Sequence, residues 1–289
     1  MNKGLLPYFQ LTRAANICTV ISNIVVAYVI SKHGQLGWDL LVLLIISACL
    51  YHGGMILNDY LDVESDRSEN PARPLPSGAI PIQTAWNILL ILFVAANVLA
   101  FFVGWQTLVI SLTLTAMIVI YDGFIKNGFR GSIVMGTCRY LNWMLGFSIA
   151  ASFSEIWSIP LAILIYVTGL TYLSKDEHDG KNPKVLFVCI ACVVVAFICV
   201  LLNSQVGSIA QWSFYAAWLA WCVWLGRTMW ICYSDYSREN IGKLMKMLIL
   251  GIIPLDALIA LSQGYLVLGV LVALLLPVSL RMSKRIYVT

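Results

Sequence analysis

The chain has 289 residues, of which 60% are hydrophobic and 11% are charged, and its formal net charge is +4. Soluble proteins carry about 25% charged residues, so this composition excludes an ordinary soluble enzyme and indicates a polytopic membrane protein that folds as one unit over residues 1–289. The basic residues are spread over several loops and do not form a patch, which argues against nucleic-acid binding.

Ten apolar segments follow one another along the chain, and most approach the roughly 20 residues that a helix needs to cross a bilayer. Only Gly264 separates the last two, so nine crossings result if one of them lies flat or re-enters. The pattern predicts an all-α transmembrane bundle of nine or ten helices. The segments comprise residues 11–31, 38–58, 83–104, 106–121, 132–152, 157–174, 185–203, 212–233, 243–263 and 265–280.

Basic residues predict the orientation of this bundle. They concentrate in the connections after the even-numbered segments, whereas the opposite surface offers only Lys32. Because cytoplasmic loops of membrane proteins are enriched in Lys and Arg, we expect these connections and both chain ends to face the cytoplasm, in the inner membrane of a cell. The residues concerned are Arg67, Arg73, Lys126, Arg130, Lys175, Lys181, Lys184, Arg238, Lys243 and Lys246.

An acidic stretch closes the second segment and opens the longest polar loop. It begins at Asn58 and contains Asp59, Asp62 and Asp66. If the helix continues by two turns, these spacings place the three carboxylates within about 60° of one another on one face. Carboxylates so close repel each other unless a cation neutralises them, and oxygen-only ligands favour Mg²⁺ with open positions for phosphate oxygens. The alternative is a solvated acidic helix end.

Several polar residues fall inside the apolar segments. Asn16 lies in the first segment, and Arg139 and Asn142 lie one turn apart in the fifth. An ionised arginine near the bilayer centre costs about 2.5 to 3.5 kcal/mol on insertion scales, so it faces the bundle interior and a partner. We therefore predict these three as substrate-binding residues. Arg227 and Asp256, in later segments, are a candidate ion pair.

The acidic stretch resembles the first signature of the UbiA superfamily of intramembrane prenyltransferases. It reads N-D-x-x-D-x-x-x-D-R over residues 58–67, and the turn R-P-L-P-S-G follows at residues 73–78. The loop at residues 121–126 is similar to the second conserved loop of the family, where a tyrosine precedes a lysine that contacts diphosphate. Residues 135–142 further resemble a divergent bacterial branch, the EboC-like proteins.

This resemblance implies a bundle around a central cavity that opens to the cytoplasmic face. It also implies Mg²⁺-dependent transfer of a prenyl group from an isoprenoid diphosphate to a lipophilic or aromatic acceptor within the membrane lipid. The residues implied by matching position are Asp59, Asp62 and Asp66 for the metal and for catalysis, Asn58 and Arg67 for the diphosphate, and Lys126 for both diphosphate binding and catalysis. Lys126 is alternatively a simple anchor at the membrane surface.

The second acidic signature of the family has a changed counterpart in this chain. Residues 174–180 read S-K-D-E-H-D-G, with compressed spacing and a lysine among the acids. Asp176 and Asp179 are the residues that would complete the metal site. The change keeps a second hypothesis open, in which the chain is a non-catalytic binder or carrier of a lipophilic metabolite. A channel or ion-coupled transporter has less support, because the acids lie at helix ends and not at the midplane.

Overall fold

The computed structural model describes residues 4–150, 156–176, 182–205 and 208–283. Within these ranges every regular element is helical. The helices are α1 (Leu6–Leu11), α2 (Ile17–Ser31), α3 (Trp38–Leu61), α4 (Val63–Glu69), α5 (Ile82–Val103), α6 (Trp105–Gly123), α7 (Gly128–Phe147), α8 (Leu161–Ser174), α9 (Lys184–Leu202), α10 (Ser208–Ser234), α11 (Arg238–Leu250), α12 (Ile252–Ser262), α13 (Leu266–Ala273) and α14 (Leu275–Ser283).

In the described part of the chain, the longer helices form ten rods that correspond to the ten predicted segments. α11 continues into α12 as one rod, Arg238–Ser262, and α13 continues into α14. Six of the described helices are long and apolar enough to span a membrane: α2 with its preceding turn, α3, α5, α6, α9 and the α11–α12 rod. The predicted all-α membrane bundle is confirmed.

The first rod begins later than its apolar segment indicated. The segment at residues 11–31 is interrupted at Arg13, whose backbone is left-handed with φ of 44°. After a 3₁₀ turn, Ala14–Asn16, α2 begins at Ile17. The interruption is accompanied by contacts from the Arg13 guanidinium to Asn58 and Asp59 at the end of α3. Hydropathy does not reveal this break, because the partner of Arg13 lies on another helix.

Glycines permit close helix crossings inside the bundle. A Cβ atom added to Gly146 of α7 would lie 2.6 Å from the Cβ of Ala27 in α2, and one added to Gly169 of α8 would lie 2.6 Å from the Cβ of Cys192 in α9. Within lipid, such close packing replaces the hydrophobic effect as a source of helix association. These contacts fix α7 closely against α2 and α8 closely against α9.

The rods differ in how deeply they are buried. α2 and the α11–α12 rod are mostly covered by other helices, whereas most of α5 is exposed and presents side chains such as Ile91, Phe101 and Phe102 to lipid. Between α2, α3, α6 and α7 the bundle encloses a cavity of about 160 Å³. This cavity lies beneath the end of the bundle that carries the acidic stretch.

Candidate active site

One end of the bundle gathers the charged residues that the sequence placed on one membrane face. It comprises the turn before α2, the end of α3, and α4 with the loop that follows it. The ends of α6 and α8 and the loop between α6 and α7 complete it. We refer to its six interacting charged side chains as the charged mouth. They are Arg13, Asp59, Asp62, Asp66, Arg73 and Lys126.

Two of the three predicted acids face the bundle and share one arginine. Asp59 and Asp66 are each only 4% exposed. The Nη1 atom of Arg73 lies 2.7 Å from a carboxylate oxygen of Asp66 and 3.7 Å from one of Asp59. Asp59 also accepts a hydrogen bond from Nη2 of Arg13 at 3.2 Å. The spacing of seven residues thus brings these two carboxylates to one place, as the helical pattern predicted.

The third acid is turned toward a different element. α3 ends at Leu61, and Asp62 lies at the junction with α4. Its carboxylate forms an ion pair with Nζ of Lys126, in the loop between α6 and α7. Asp62 is also less covered than the other two acids, with 30% of its side chain exposed. The junction therefore separates Asp62 from Asp59 and Asp66 and links α3 to α6.

Lys175 is a further cation beside the charged mouth. Its Nζ atom donates a hydrogen bond to the backbone carbonyl of Lys126 at 2.7 Å and lies 5.7 Å from the ring centroid of Tyr121. Burial lowers the pKa of this ammonium group, and the nearby charge of Lys126 lowers it further. In the sequence this lysine is only an interruption of an acidic run. The sequence predicted Lys175 on the same side of the membrane as Lys126, and this could have identified it as a site residue.

The charges of the mouth balance without a metal ion. Three carboxylates face three basic side chains, so the cations that neutralise these acids in the structure are arginine and lysine. In the described ranges, no three His, Cys, Asp or Glu side chains stand close enough to hold a metal ion. The donor set nevertheless fits Mg²⁺ in kind, because it consists of carboxylate and amide oxygens. A bound Mg²⁺ would compete with arginine and lysine for these oxygens.

Arg67 does not join the charged mouth, contrary to the assignment from the resemblance. Its side chain is 56% exposed and pairs with Glu64 at 3.1 Å, one turn earlier in α4. Successive residues of a helix are rotated by about 100°, so the residue after the inward-facing Asp66 faces outward. Arg73, from the turn behind α4, supplies the arginine that contacts the acids.

The second acidic run is described only in part. Oδ2 of the buried Asp176 accepts hydrogen bonds from the backbone N–H of Asn182 at 2.9 Å and from the hydroxyl of Tyr236 at 2.7 Å. Burial and this carboxylate raise the pKa of Tyr236. Asp176 therefore ties its loop to the connection between α10 and α11, and its described contacts do not reach the charged mouth. Asp179 lies outside the described residues.

The cavity beneath the charged mouth is largely apolar. Its polar lining comes from Arg13, Asn58 and Asp122 near the mouth and from Arg139 and Asn142 on the wall formed by α7. Nδ2 of Asn58 donates a hydrogen bond to Oδ1 of Asp122 at 2.7 Å, so Asp122 belongs to the site although the sequence did not single it out. The remaining lining residues are Val20, Leu50, Tyr51, Gly54, Met55, Leu114, Ile118, Tyr121, Met135 and Cys138.

Two of the predicted interior residues have contrasting surroundings. Oδ1 of Asn142 accepts a hydrogen bond from Oγ of Ser47 at 2.5 Å, and its Nδ2 donates to Oδ1 of Asn23 at 3.4 Å. Asn16 is also buried, but its Oδ1 atom has no hydrogen-bond partner in the described part of the chain. A buried acceptor without a partner is costly, so Asn16 retains an unused capacity to bind a polar group.

Asp256 does not pair with Arg227, as the sequence had allowed. Its carboxylate accepts hydrogen bonds from Oγ of Ser22, Nδ2 of Asn23 and Nε1 of Trp143, at 2.5, 2.7 and 3.2 Å. Arg227 is exposed on α10. The pairing of buried polar groups across a bundle depends on which helices adjoin, which a single sequence does not reveal.

Comparisons with known proteins agree with this architecture. Residues 20–252 match the model of the UbiA prenyltransferase family. Digeranylgeranylglyceryl phosphate synthase of Saccharolobus solfataricus is 28% identical over 187 residues, which are 62% of this chain and 66% of that protein. The same enzyme of Metallosphaera sedula is 30% identical over 177 residues, 60% of this chain and 61% of its own length. The match thus spans less than two thirds of either relative.

Solved structures show the same fold. A structure of digeranylgeranylglyceryl phosphate synthase covers 91% of this chain and 99% of its own, with 21% identity and a TM-score of 0.67. A UbiA homologue from Archaeoglobus fulgidus bound to GPP and Mg²⁺ covers 92% and 99%, with 14% identity and a TM-score of 0.60. The same homologue bound to DMAPP and Mg²⁺ gives a TM-score of 0.63.

Proposed function

Because the chain belongs to the UbiA prenyltransferase family, we propose that it transfers a prenyl group from an isoprenoid diphosphate to an acceptor within the membrane, with Mg²⁺ as cofactor. The observation that carries this proposal is the position of the charged mouth directly above an apolar cavity. An amphiphile with a diphosphate head and an isoprenoid tail matches both parts. The bound GPP, DMAPP and Mg²⁺ of the related structures support the donor class and the metal.

The residues of the mouth would act on the departing diphosphate. Arg13, Arg73 and Lys126 exchange their carboxylate partners for phosphate oxygens and stabilise the negative charge that develops as the carbon–oxygen bond breaks. When bound, Mg²⁺ contributes further positive charge to the leaving group. The residues that would hold it are Asn58, Asp59, Asp62 and Asp66.

The cavity would hold and stabilise the allylic cation that remains after the diphosphate departs. Tyr51 and Tyr121 line it, and the π faces of such rings stabilise a cation. The apolar lining excludes water, which would otherwise capture the cation in place of the acceptor. The acceptor is lipophilic or aromatic, and we propose Asn16, Arg139 and Asn142 as residues that bind substrate.

We further propose that the charged mouth faces the cytoplasm and that the chain acts as one membrane domain. The distribution of basic residues supports this orientation.

One observation favours the second candidate function, a non-catalytic binder or carrier. The carboxylate of Asp176, in the changed second acidic run, is engaged by Asn182 and Tyr236 and would have to leave them to reach a metal.

Turnover of labelled prenyl diphosphates tests the proposal. The full chain in lipid nanodiscs with Mg²⁺ is incubated with donors of increasing length and a panel of phenolic, quinone-precursor and glycerophosphate acceptors, and prenylated product and diphosphate are measured. Asp62→Asn is expected to lower turnover by at least about 100-fold, because it removes a carboxylate from the residues that would hold Mg²⁺ at the leaving group. Glu64→Gln, on the exposed face of α4, is the matched control and retains activity.

The result also separates the two candidate functions. Donor binding without turnover across the whole acceptor panel would support the carrier. Absence of both donor binding and turnover would overturn the prenyltransferase assignment.

A further inference from the structure

A second concave region lies at the end of the bundle opposite the charged mouth. It is bounded by the ends of α2 and α7, the start of α3 and the turn between α5 and α6, and it encloses about 500 Å³. Ligand-binding clefts range from about 300 to 1,000 Å³. Lys32 and Asp39 line this region together with the hydroxyl groups of Thr107 and Ser148, and we refer to it as the polar groove. It shares none of its described lining residues with the cavity beneath the charged mouth.

The polar groove carries one cation and one anion that are only loosely paired. Nζ of Lys32 lies 3.5 Å from Oδ2 of Asp39, whereas a close charge-assisted hydrogen bond spans about 2.7 to 2.9 Å. Oδ1 of Asp39 accepts a hydrogen bond from the hydroxyl of Tyr28 at 2.5 Å, which fixes the carboxylate. The side chains of Lys32 and Asp39 are 36% and 33% exposed. Each charge is therefore accessible to an opposite charge from outside the chain.

Exposed tryptophans place the polar groove at the surface of the membrane. Trp105 lines the groove and is 73% exposed, and Trp38, at the start of α3, is 86% exposed. Tryptophan is enriched where the lipid head groups meet the hydrocarbon core. A ligand of the polar groove therefore lies at the depth of the head groups, in the leaflet opposite the charged mouth.

An apolar groove continues from the polar groove along α5, and Phe102 lines both. It lies between two rows of side chains spaced four residues apart, which form neighbouring ridges on a helix. The rows are Phe93, Asn97 and Phe101, and Val94, Val98 and Phe102. Nine residues of helix correspond to about 13.5 Å, which is close to half of the roughly 30 Å hydrocarbon core. The apolar groove thus extends through most of one leaflet.

The surface of the apolar groove offers few polar contacts. Asn97 is the only polar residue among its described lining residues, and its amide is bonded within the protein. Its Nδ2 donates to Oγ1 of Thr115 at 3.2 Å, and its Oδ1 accepts from Oγ of Ser111 at 2.9 Å. Val94 and Phe102 are 61% and 78% exposed. The occupant of this part is therefore a hydrocarbon chain, whereas the occupant of the polar groove is charged.

We propose that the two grooves together bind one phospholipid whose head group contains a phosphate and a primary ammonium, as in phosphatidylethanolamine. Lys32 contacts the phosphate, Asp39 accepts hydrogen bonds from the ammonium, and an acyl chain follows the apolar groove beyond Phe102. This head group carries one charge of each sign, as the polar groove does. The inference is independent of the proposed prenyl transfer.

The charge pair also distinguishes this head group from those of other phospholipids. An anionic head group without an ammonium would contact Lys32 but would leave Asp39 beside a like charge, which is unfavourable. A quaternary ammonium has no N–H group to donate to Asp39, whereas a primary ammonium has three. The polar groove therefore selects the primary ammonium by a hydrogen bond and by charge.

Lipid binding to the delipidated full chain in detergent tests this inference. Native mass spectrometry counts the bound lipids during titration with phosphatidylethanolamine, phosphatidylcholine and phosphatidylglycerol, which all carry the same palmitoyl and oleoyl chains. Phosphatidylethanolamine is expected to bind to one site at least tenfold more tightly than either of the other two. It is also expected to raise the thermal midpoint most at equal concentration, because a ligand stabilises the state that binds it.

Variants of the charge pair locate the head group. Asp39→Asn is expected to reduce the preference for phosphatidylethanolamine over phosphatidylglycerol to less than twofold, because it removes the partner of the ammonium. Lys32→Gln is expected to weaken binding of phosphatidylethanolamine by about tenfold. Tyr28→Phe is the control for a purely structural role of Asp39, since it removes the hydrogen bond to the carboxylate and keeps the charge. It is expected to retain the preference within twofold.

A variant of the apolar groove locates the acyl chain. Phe102→Ala is expected to weaken all three lipids by at least threefold without changing their order. Phe187→Ala, which removes an exposed phenylalanine of α9, is the matched control and keeps the wild-type affinities. Thermal unfolding of each variant in lipid-free detergent verifies that it is folded.

Three results would overturn the inference. The wild-type chain would bind phosphatidylcholine or phosphatidylglycerol as tightly as phosphatidylethanolamine, or the preference would persist in folded Asp39→Asn. The third is a dimer of the delipidated chain that phosphatidylethanolamine does not dissociate and Phe102→Ala does, since a second copy would then occupy the apolar groove.

Discussion

At the scale of single residues, the direction of each side chain in the charged mouth determines which residues form ion pairs. Asp59 and Asp66 face the bundle and share Arg73, whereas Asp62, at the junction of α3 and α4, reaches Lys126. Charge-assisted hydrogen bonds of this kind contribute about 1.5 to 3 kcal/mol each. The mouth is therefore pre-organised by ion pairs, and under the proposed function its basic residues would bind the donor diphosphate.

Arg73 and Arg67 provide a direct test of that geometry. Arg73→Gln is expected to weaken binding of geranyl diphosphate by about tenfold or more, since it removes a charge-assisted contact from the mouth. Arg67→Gln is expected to change the affinity by less than about twofold, because exposed ion pairs contribute little. Titration of both variants in nanodiscs measures the effect. A larger loss with Arg67→Gln would favour the assignment from the resemblance over the geometry.

Lys175 predicts a pH dependence of donor binding. Its pKa is lowered by burial and by Lys126, so its ammonium loses its proton below the ordinary lysine value of 10.5 as pH rises. Affinity for geranyl diphosphate is expected to fall with rising pH in that range. Lys175→Arg keeps its charge there and is expected to reduce the fall.

The measurement is a series of dissociation constants from neutral pH up to 10.5. Lys184→Arg, at an exposed position at the start of α9, is the matched control and keeps the wild-type profile. Superimposable profiles for wild type and Lys175→Arg would show that Lys175 does not contribute to the charge that binds the donor.

At the scale of helices, α7 connects the two polar regions of the molecule. It starts at the charged mouth, carries Arg139 and Asn142 on the cavity wall, and packs closely against α2 through Gly146. A glycine at such a crossing brings the two backbones together, which places Asn23 and Thr19 of α2 within reach of Arg139. The position of the interior polar residues therefore depends on a small residue that has no polar contact of its own.

Substitution of Gly146 tests this dependence. A Cβ atom there would lie 2.6 Å from the Cβ of Ala27 and 3.1 Å from the backbone oxygen of Ile24, and neither can easily move. Gly146→Ala is expected to destabilise the protein by about 1 to 3 kcal/mol through overpacking, seen as a lower thermal midpoint. Gly226→Ala is the control, because nothing lies within 4 Å of its added Cβ. Equal midpoints for the two variants would contradict the close crossing.

At the scale of the whole molecule, the connections after alternate rods meet at one end. This arrangement brings together residues far apart in the chain, such as Asp62, Lys126 and Lys175. The opposite end carries the ion pair of Lys32 and Asp39 at 3.5 Å and few other charges among its described residues. The bundle is thus electrically asymmetric, and the asymmetry coincides with the predicted cytoplasmic face.

Labelling of single introduced cysteines tests the orientation. Ser77, behind α4, and Gln35, between α2 and α3, are exposed at opposite ends of the bundle. In intact cells, a membrane-impermeant maleimide is expected to label Gln35→Cys above the background of the native cysteines, and Ser77→Cys only after the membrane is opened. The reverse pattern would place the charged mouth outside and exclude a cytoplasmic donor.

The sequence by itself determined the membrane bundle of nine or ten rods, the gathering of acids and lysines at one end and the family, because these follow from hydropathy, loop charge and local motifs. Local spacing also predicted that Asp59 and Asp66 share a face. The same spacing predicted Asp62 on that face, which is wrong, because the junction at that residue redirects its side chain toward Lys126.

Only the tertiary structure decided how the charges are paired. Arg13 reaches Asp59 from a break before α2, Arg73 takes the place expected of Arg67, and Asp256 bonds to Ser22 and Asn23 and not to Arg227. Such pairs join residues many positions apart, so they depend on which helices adjoin and which faces they turn to each other. No local pattern in one sequence contains that information.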